Sequence, residues 1–204
     1  MERKTKSGYL VLADISGYTS FVAQTEIEHA DLALSYLLEA IIEEMNSMFT
    51  IAKLEGDAVF AYMDADKLHE GKALLELIDR SYAAFRDKAA ALFAQATCPC
   101  KACRAIPTLD LKFILHHGEY VIQQVAGIRD LLGTDVNLIH RLLKNGVSES
   151  TGWKGYTVFT DAALEHMNCG KSSLFRRCET YEHLGNVDIY CMDMHSRYDE
   201  LRFQ

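Results

Sequence analysis

Charged residues interrupt the apolar segments of this 204-residue sequence at three places where apolar runs or periodic segments end. Asp14 closes the run GYLVLAD, and Lys53 and Asp57 flank a glycine between two apolar runs in KLEGDAVFAYM. A third polar cluster extends from Asp130 to Arg141. Strand ends and hairpin turns are the positions from which a rigid scaffold presents side chains to a ligand. The three places are therefore candidates for parts of a ligand site.

Each of these residues also has an ordinary structural explanation. Asp14 suits a helix N-cap or a turn, and Asp57 suits a hairpin turn. Asn137 and Arg141 lie four residues apart on one face of a predicted helix, where an arginine is often a solvated or ion-paired surface group. Because single motifs often mislead, the order of the three groups carries more weight than any one of them.

The apolar pattern predicts the elements that position these residues. Residues 8–14 read as a buried strand, and steps of three and four residues predict long amphipathic helices over 28–49 and about 67–95. Two apolar runs between the helices predict a hairpin at 50–54 and 57–63. The later predicted elements are strands at 109–118 and 119–127 that meet at Gly118, a helix at 134–146, a strand near YTVFT, a helix DAALEHM, and strands near LFRRCETY and VDIYCMD. This order favours an α+β sandwich, a mostly antiparallel sheet with helices packed on one face.

Composition restricts the partners and the compartment. The formal net charge of −8 disfavours non-specific binding to nucleic acid or to anionic membranes. It does not disfavour a nucleotide substrate, because metal ions can offset negative charge locally. No segment approaches the roughly 20 apolar residues that span a bilayer, and the segment MERKTKSGYLVLAD lacks a signal-peptide core. Without a secretion signal, the six cysteines are expected to be reduced. We expect a cytoplasmic protein that binds neither nucleic acid nor membrane.

Three motifs together resemble class III nucleotidyl cyclases. LADISGYT (12–19) resembles the opening signature of that family, and KLEGDAVFAY (53–62) resembles its Lys-x-x-Gly-Asp hairpin. HHGEYVIQQVAG followed by RDLLGTDVNLIHRL (129–142) is similar to its third region. The matches occur in the family's order and spacing from Gly8 to about Gly146. The resemblance implies the ferredoxin-like class III cyclase sandwich, with residues 1–204 forming a single cyclase-like catalytic domain.

The resemblance also implies a metal site. Asp14, Asp57 and the backbone carbonyl of Ile15 match the family's metal ligands. Two carboxylates on adjacent strands, together with phosphate oxygens, suit Mg²⁺ or Mn²⁺, and the family uses two ions per site. One ion lowers the pKa of the attacking hydroxyl and the other steadies the leaving oxygens. In the family, the ribose 3′-hydroxyl attacks the α-phosphate of its own nucleoside triphosphate and releases pyrophosphate.

The remaining matched residues imply the substrate and the assembly. Lys53 and Asp130 match the pair that reads the purine base, and a lysine with an aspartate favours adenine, hence ATP. Asn137 matches the residue that orients the ribose, and Arg141 matches the one that stabilises charge on the phosphoryl oxygens. In the family, the metal aspartates come from one subunit and the other groups from its partner. The resemblance therefore implies a symmetric homodimer that converts ATP to 3′,5′-cyclic AMP.

Three departures from the family pattern keep other interpretations open, one of them His140, which precedes Arg141 where small residues are usual. Family members usually offer a late lysine to the triphosphate, but His183 or Leu184 stands near that position here, and Asp135 adds a carboxylate close to a site for a polyanion. The unaligned cations that remain as substitutes are Lys171, Arg176 and Arg177. The alternative is a catalytically degenerate cyclase-fold protein that binds a nucleotide or another small ligand as a sensor or partner module. A cyclase for another nucleotide, such as a pyrimidine, is the third hypothesis.

The Cys loop, which contains Cys98, Cys100 and Cys103, is not part of the general cyclase pattern. It resembles a feature of an uncharacterised bacterial branch of cyclase-like proteins. Cys98, Cys100 and Cys103 are close enough in sequence to share a structural Zn²⁺, with a fourth ligand from another cysteine or from a histidine. The cysteines available for that role are Cys169, Cys178 and Cys191. The alternative is three reduced thiols in an exposed loop. The adjacent His116 and His117 are predicted to point to opposite faces of a strand, so they cannot chelate one ion together.

Overall fold

The computed structural model describes residues 4–202. Over that range the chain forms eight strands, listed here in order: β1 (Lys6–Ser16), β2 (Thr50–Glu55), β3 (Ala58–Asp64), β4 (Asp110–Val125), β5 (Ile128–Leu132), β6 (Tyr156–Thr160), β7 (Phe175–Tyr181) and β8 (Gly185–Asp193). The α-helices of the same range are α1 (Tyr18–Gln24), α2 (Ile27–Met45), α3 (Gly71–Gln95), α4 (Lys101–Ala105), α5 (Thr134–Leu142), α6 (Val147–Thr151), α7 (Asp161–His166) and α8 (Met194–Arg202).

The strands form one sheet in the order β2-β3-β1-β4-β6-β8-β7, and β5 folds back on β4 as a hairpin arm. Every neighbouring pair is antiparallel except β4 and β6, which run parallel. The central strand β1 lies between β3 and β4, and its residues from Gly8 to Ala13 are all buried. A continuous apolar run of this kind is typical of a strand that is covered on both faces.

Helices cover both faces of the sheet. Alternate β1 residues, including Tyr9 and Val11, belong to a core with α2 and α3. The residues between them, Leu10 and Leu12, join a second core with Val136, Ile139 and Leu142 of α5. The predicted α+β class with a mostly antiparallel sheet is confirmed, and both long helices lie on one face. The short helices α5 and α6 cover part of the other face, where the polar groups described below lie.

The predicted hairpin at Gly118 is wrong. Residues 110–125 form the single strand β4, and the turn falls later, at Ala126 and Gly127. Both turn residues have positive φ, 51° and 84°, as a two-residue type I′ turn requires. Gly118 lies inside β4. A glycine stands there because the side chain of Asp135 occupies the space that a Cβ would need. The glycine therefore marks a close approach rather than a turn, and β5 was missed.

The C-terminal helix α8 was not predicted, since its sequence MHSRYDELR lacks an apolar stripe. Polar contacts to α3 and β4, together with the buried Met194, hold it instead. Arg197 lies 2.8 Å from Asp79 of α3, and His195 lies 2.5 Å from the buried Asp110 at the start of β4. Within residues 4–202, no helix combines the length and apolar character needed to cross a bilayer.

Candidate active site

The turn between β2 and β3 places Asp57 beside the end of β1. Gly56 has a φ of 70°, a conformation that favours glycine. The carbonyl oxygen of Asp57 accepts a hydrogen bond of 3.2 Å from the amide of Ile15. Asp14 pairs with Ala58, the residue that follows Asp57, across β1 and β3. The structure therefore brings together the three residues predicted as metal ligands.

The two carboxylates interact unfavourably. Burial, followed by the negative charge of Asp14, raises the pKa of Asp57 from 3.8 to about 6. Both causes act against the ionised form. Folding thus holds a carboxylate in an environment where its charge is costly, which is common at functional sites.

Lys112 supplies the positive charge beside this pair. It is the direct cross-strand partner of Asp14 in the β1–β4 register, and its Nζ lies 2.9 Å from Asp14 Oδ2, with both side chains less than a fifth exposed. Burial is the largest single cause and lowers the pKa of Lys112, but the attraction and hydrogen bond to Asp14, with Tyr156 and Asp57, together raise that pKa above its usual value. Sequence reasoning missed this lysine because only the strand register places it opposite Asp14.

Lys53 and Asp130, the residues predicted to read the base, also lie close together. A bulge after Ile51 shifts the β2 register, and Lys53 Nζ lies 2.8 Å from Glu55 Oε1 and 3.5 Å from Asp130 Oδ1. The bond to Glu55 is the main reason that the pKa of Lys53 is raised. Glu55 was not predicted, although its position two residues after Lys53 puts both on one face of the strand.

Helix α5 carries Asn137 and Arg141 to the wall of a cavity of about 330 Å³. The other lining residues are His140 on the same helix and Glu182, His183 and Leu184 at the β7–β8 turn. His140 Nε2 lies 3.1 Å from Glu55 Oε1. Since Glu55 also contacts Lys53, it connects Lys53 and Asp130 to this cavity. His183, which stands near the predicted position of the missing lysine, does line the cavity with Arg141.

Asp135 and the substitute cations all contact other groups of the same chain. The Asp135 carboxylate accepts a hydrogen bond of 2.6 Å from the amide of Glu119 and lies 3.2 Å from His116. It therefore faces β4 rather than the cavity. The three substitute cations are each paired with a carboxylate of the same chain: Lys171 with Asp161, Arg176 with Asp188, and Arg177 with Glu179.

A second cluster of metal-ligating side chains lies at the Cys loop. Cys98, Cys100 and Cys103 are joined there by His29 of α2, and one donor atom from each of the four lies within 4.8 Å of all the others. Nothing in the sequence spacing singles out His29.

The adjacent histidines of β4 point to opposite faces, as predicted. His116 Nδ1 lies 2.8 Å from the hydroxyl of Thr160. His117 stacks on His166, and burial is the main cause that lowers the pKa of His117 to about 4. The two rings therefore do not share an ion.

The fold is that of a class III nucleotidyl cyclase catalytic domain. The guanylyl cyclase Cya2 is similar with a TM-score of 0.72 at 15% identity, covering 94% of this chain and 93% of that one. The adenylyl cyclase CyaB from P. aeruginosa gives 0.65 at 18%, covering 94% and 95%. The catalytic core of a rhodopsin-guanylyl cyclase with converted specificity, in complex with ATPαS, gives 0.62 at 19%, covering 93% and 97%. The fold implied by the three motifs is confirmed.

Closer relatives define the family. The family model described as "Protein of unknown function (DUF2652)" matches residues 34–151. The chain is 33% identical over 165 residues to the "Uncharacterized protein Rv2561/Rv2562" of Mycobacterium tuberculosis (strain ATCC 25618 / H37Rv). The aligned segment covers 79% of this chain and 73% of that protein. The chain belongs to the DUF2652 family. The matched segment contains Lys53, Asp57, the Cys loop and α5, and it begins after Asp14.

Proposed function

We propose that this protein is a nucleotidyl cyclase that converts ATP to 3′,5′-cyclic AMP and pyrophosphate at the interface of a homodimer. Residues 1–204 would act as one catalytic domain. The observation that carries the proposal is the convergence of Asp14 and Asp57 from β1 and the β2–β3 turn, with the pKa of Asp57 raised to about 6. A pair of carboxylates held together at this cost suits divalent cations with oxygen ligands.

The donor set fits Mg²⁺ or Mn²⁺. Asp14, Asp57 and the carbonyl of Ile15 would hold two ions, which supply Lewis acidity at the ribose hydroxyl and at the leaving pyrophosphate. Lys112 offsets the charge of Asp14 in the metal-free chain. The same contact would hold the Asp14 carboxylate in position as a ligand.

The second group of residues would bind and orient the nucleotide. The ammonium group of Lys53 would donate to N1 of adenine, and the Asp130 carboxylate would accept from the adenine amino group. Glu55 holds the lysine by the 2.8 Å ion pair. On α5, Asn137 would orient the ribose, and Arg141 would stabilise charge on the phosphoryl oxygens.

Dimerisation would complete the site. Asp14 and Asp57 are not among the residues that line the cavity with Asn137 and Arg141, which supports a site whose two halves would come from different subunits. The β4–β5 arm exposes Val125, Ile128 and Leu132, each by more than half. A second copy of the chain would cover such apolar surface, and a two-fold axis would create two composite sites.

The base-reading pair gives a specificity prediction. The double variant Lys53→Glu with Asp130→Cys is expected to lower the ratio of cyclic AMP to cyclic GMP formation by about 10²-fold or more, because it reverses the hydrogen-bond polarity offered to the base. The measurement is product formation from equal concentrations of ATP and GTP with Mn²⁺.

Lys72→Glu is the matched control. Lys72 is an exposed residue of α3, and its substitution makes the same charge change as Lys53→Glu. We expect it to keep the wild-type ratio. A folded double variant with an unchanged preference for ATP would show that Lys53 and Asp130 do not read the base.

A second candidate function is nucleotide binding without turnover. It is favoured by the intrachain ion pairs of Lys171, Arg176 and Arg177, which leave His183 near the position of the usual triphosphate lysine. Such a protein would bind ATP with a divalent cation and form no cyclic product. Equilibrium binding of ATP, measured beside the product assay, separates the two functions.

A further inference from the structure

The Cys loop and helix α2 form a cluster that the cyclase reaction does not use. Cys98 and Cys100 lie in the connection between α3 and α4, Cys100 caps α4, and Cys103 lies on α4. His29 comes from the first turns of α2, and its Nδ1 lies 3.1 Å from the sulfur of Cys100. Three sulfurs and one imidazole nitrogen from two separate segments thus converge on one point.

From this geometry we propose that Cys98, Cys100, Cys103 and His29 bind one structural Zn²⁺. Zinc takes four sulfur and nitrogen ligands in tetrahedral geometry at about 2.3 Å and 2.0–2.1 Å. Those bond lengths separate the donor atoms of a tetrahedron by about 3.5–3.8 Å. The four donors here all lie within 4.8 Å of one another, so small side-chain adjustments would close the shell. This proposal does not depend on the proposed catalytic activity.

Backbone contacts around the sulfurs support a thiolate site. The amide of Cys100 donates to Cys98 Sγ, and the amide of Cys103 donates to Cys100 Sγ, each at 3.4 Å. Hydrogen bonds to coordinating sulfurs orient the ligands and stabilise their negative charge. Three thiolates with one neutral imidazole form a complete shell for zinc and leave no open position, which indicates a structural rather than a catalytic ion.

An independent contact holds the same two segments together. The Glu26 carboxylate, at the start of α2, accepts a hydrogen bond of 3.2 Å from the amide of Ala102 on α4. Ala102 is fully buried in the core that α2 and α3 share. The α2 end that carries His29 is therefore seated against the Cys loop, so the ion would complete a preformed contact and anchor the connection between α3 and β4.

The test is the metal content of reduced, tag-free protein purified without added metal. We expect about one zinc per chain, lost in His29→Ala and in Cys103→Ser. The matched controls are His69→Ala and Cys178→Ser, which change an exposed histidine and an exposed cysteine outside the cluster, and both should retain the zinc. Retention of full zinc by a folded His29→Ala variant would overturn the assignment of His29.

A measurement on the wild-type protein covers the case in which a cysteine variant does not fold. Co²⁺ added to the zinc-free, reduced chain should give the intense thiolate-to-cobalt absorption and the tetrahedral ligand-field bands of a three-sulfur site. Chelation should lower the melting temperature of the zinc-loaded protein, because the ion binds only the folded arrangement. No zinc in the purified protein and no uptake of Co²⁺ by the reduced chain would overturn the proposal.

Discussion

Asp57→Asn is expected to make the metal-free protein more stable at neutral pH while removing its response to Mn²⁺. The pKa of Asp57 is about 6 in the folded chain, against an ordinary value of 3.8. Such a shift corresponds to about 3 kcal/mol for a fully shielded group, and the partial exposure of Asp57 reduces this to about 1–2 kcal/mol. Asparagine has a similar shape and no charge, so the free energy of unfolding should rise by that amount.

The contribution of Asp57 to the free energy of unfolding depends on pH. Between pH 3.8 and about 6 the folded chain holds a proton on Asp57 that the unfolded chain releases, so stability falls as pH rises through that window. Asp57→Asn should abolish this part of the decline, whereas Asp66→Asn, at an exposed residue beyond the opposite end of β3, should retain it. Denaturant unfolding with and without Mn²⁺ measures both effects. An Asp57→Asn variant that Mn²⁺ still stabilises as much as wild type would contradict the metal role of Asp57.

Mixing two inactive variants is expected to restore activity. In the proposed composite site, Asp57→Asn would remove a metal ligand contributed by one subunit, and Arg141→Ala would remove the phosphoryl contact contributed by its partner. Each change alone should lower product formation by at least about 10²-fold. In an equal mixture that exchanges subunits, half of the dimers are mixed and each has one intact site of two, so about one quarter of the wild-type activity should return.

The control mixture combines Asp14→Asn with Asp57→Asn. Both substitutions lie in the same half-site, so a mixed dimer has no intact site and no activity should return. Recovery in both mixtures, or in neither while the wild type is active, would contradict the composite site. Subunit exchange is verified by separating dimers of differently tagged chains.

The sequence predicted the apolar framework well, and it was weaker at positions set by contacts between distant segments. The apolar run that ends at Asp14 predicted a buried strand, and the two runs around Gly56 predicted a hairpin, because both signals lie in the local sequence. Gly118 misled the prediction because its role depends on Asp135, which approaches from α5. A glycine in a turn and a glycine beneath another side chain look alike in one sequence.

The same reason explains which residues of the candidate site could be predicted from the sequence. Asp14, Lys53, Asp57 and Arg141 lie in ordered motifs that the family resemblance identifies. Lys112 becomes significant only through the β1–β4 register that sets it opposite Asp14. His29 becomes significant only because α2 packs on the Cys loop, far along the chain from it.

The most direct measurement of the central claim is product formation from ATP, with Mn²⁺ or Mg²⁺, by the wild-type protein and by Asp57→Ala. GTP, CTP and UTP are tested as alternative substrates in separate parallel reactions. We expect cyclic AMP and pyrophosphate in equal amounts from ATP, and we expect Asp57→Ala to lose this product. A folded wild-type dimer that binds ATP but forms no cyclic nucleotide from any of the four triphosphates would contradict the proposed cyclase activity. That result would favour nucleotide binding without turnover.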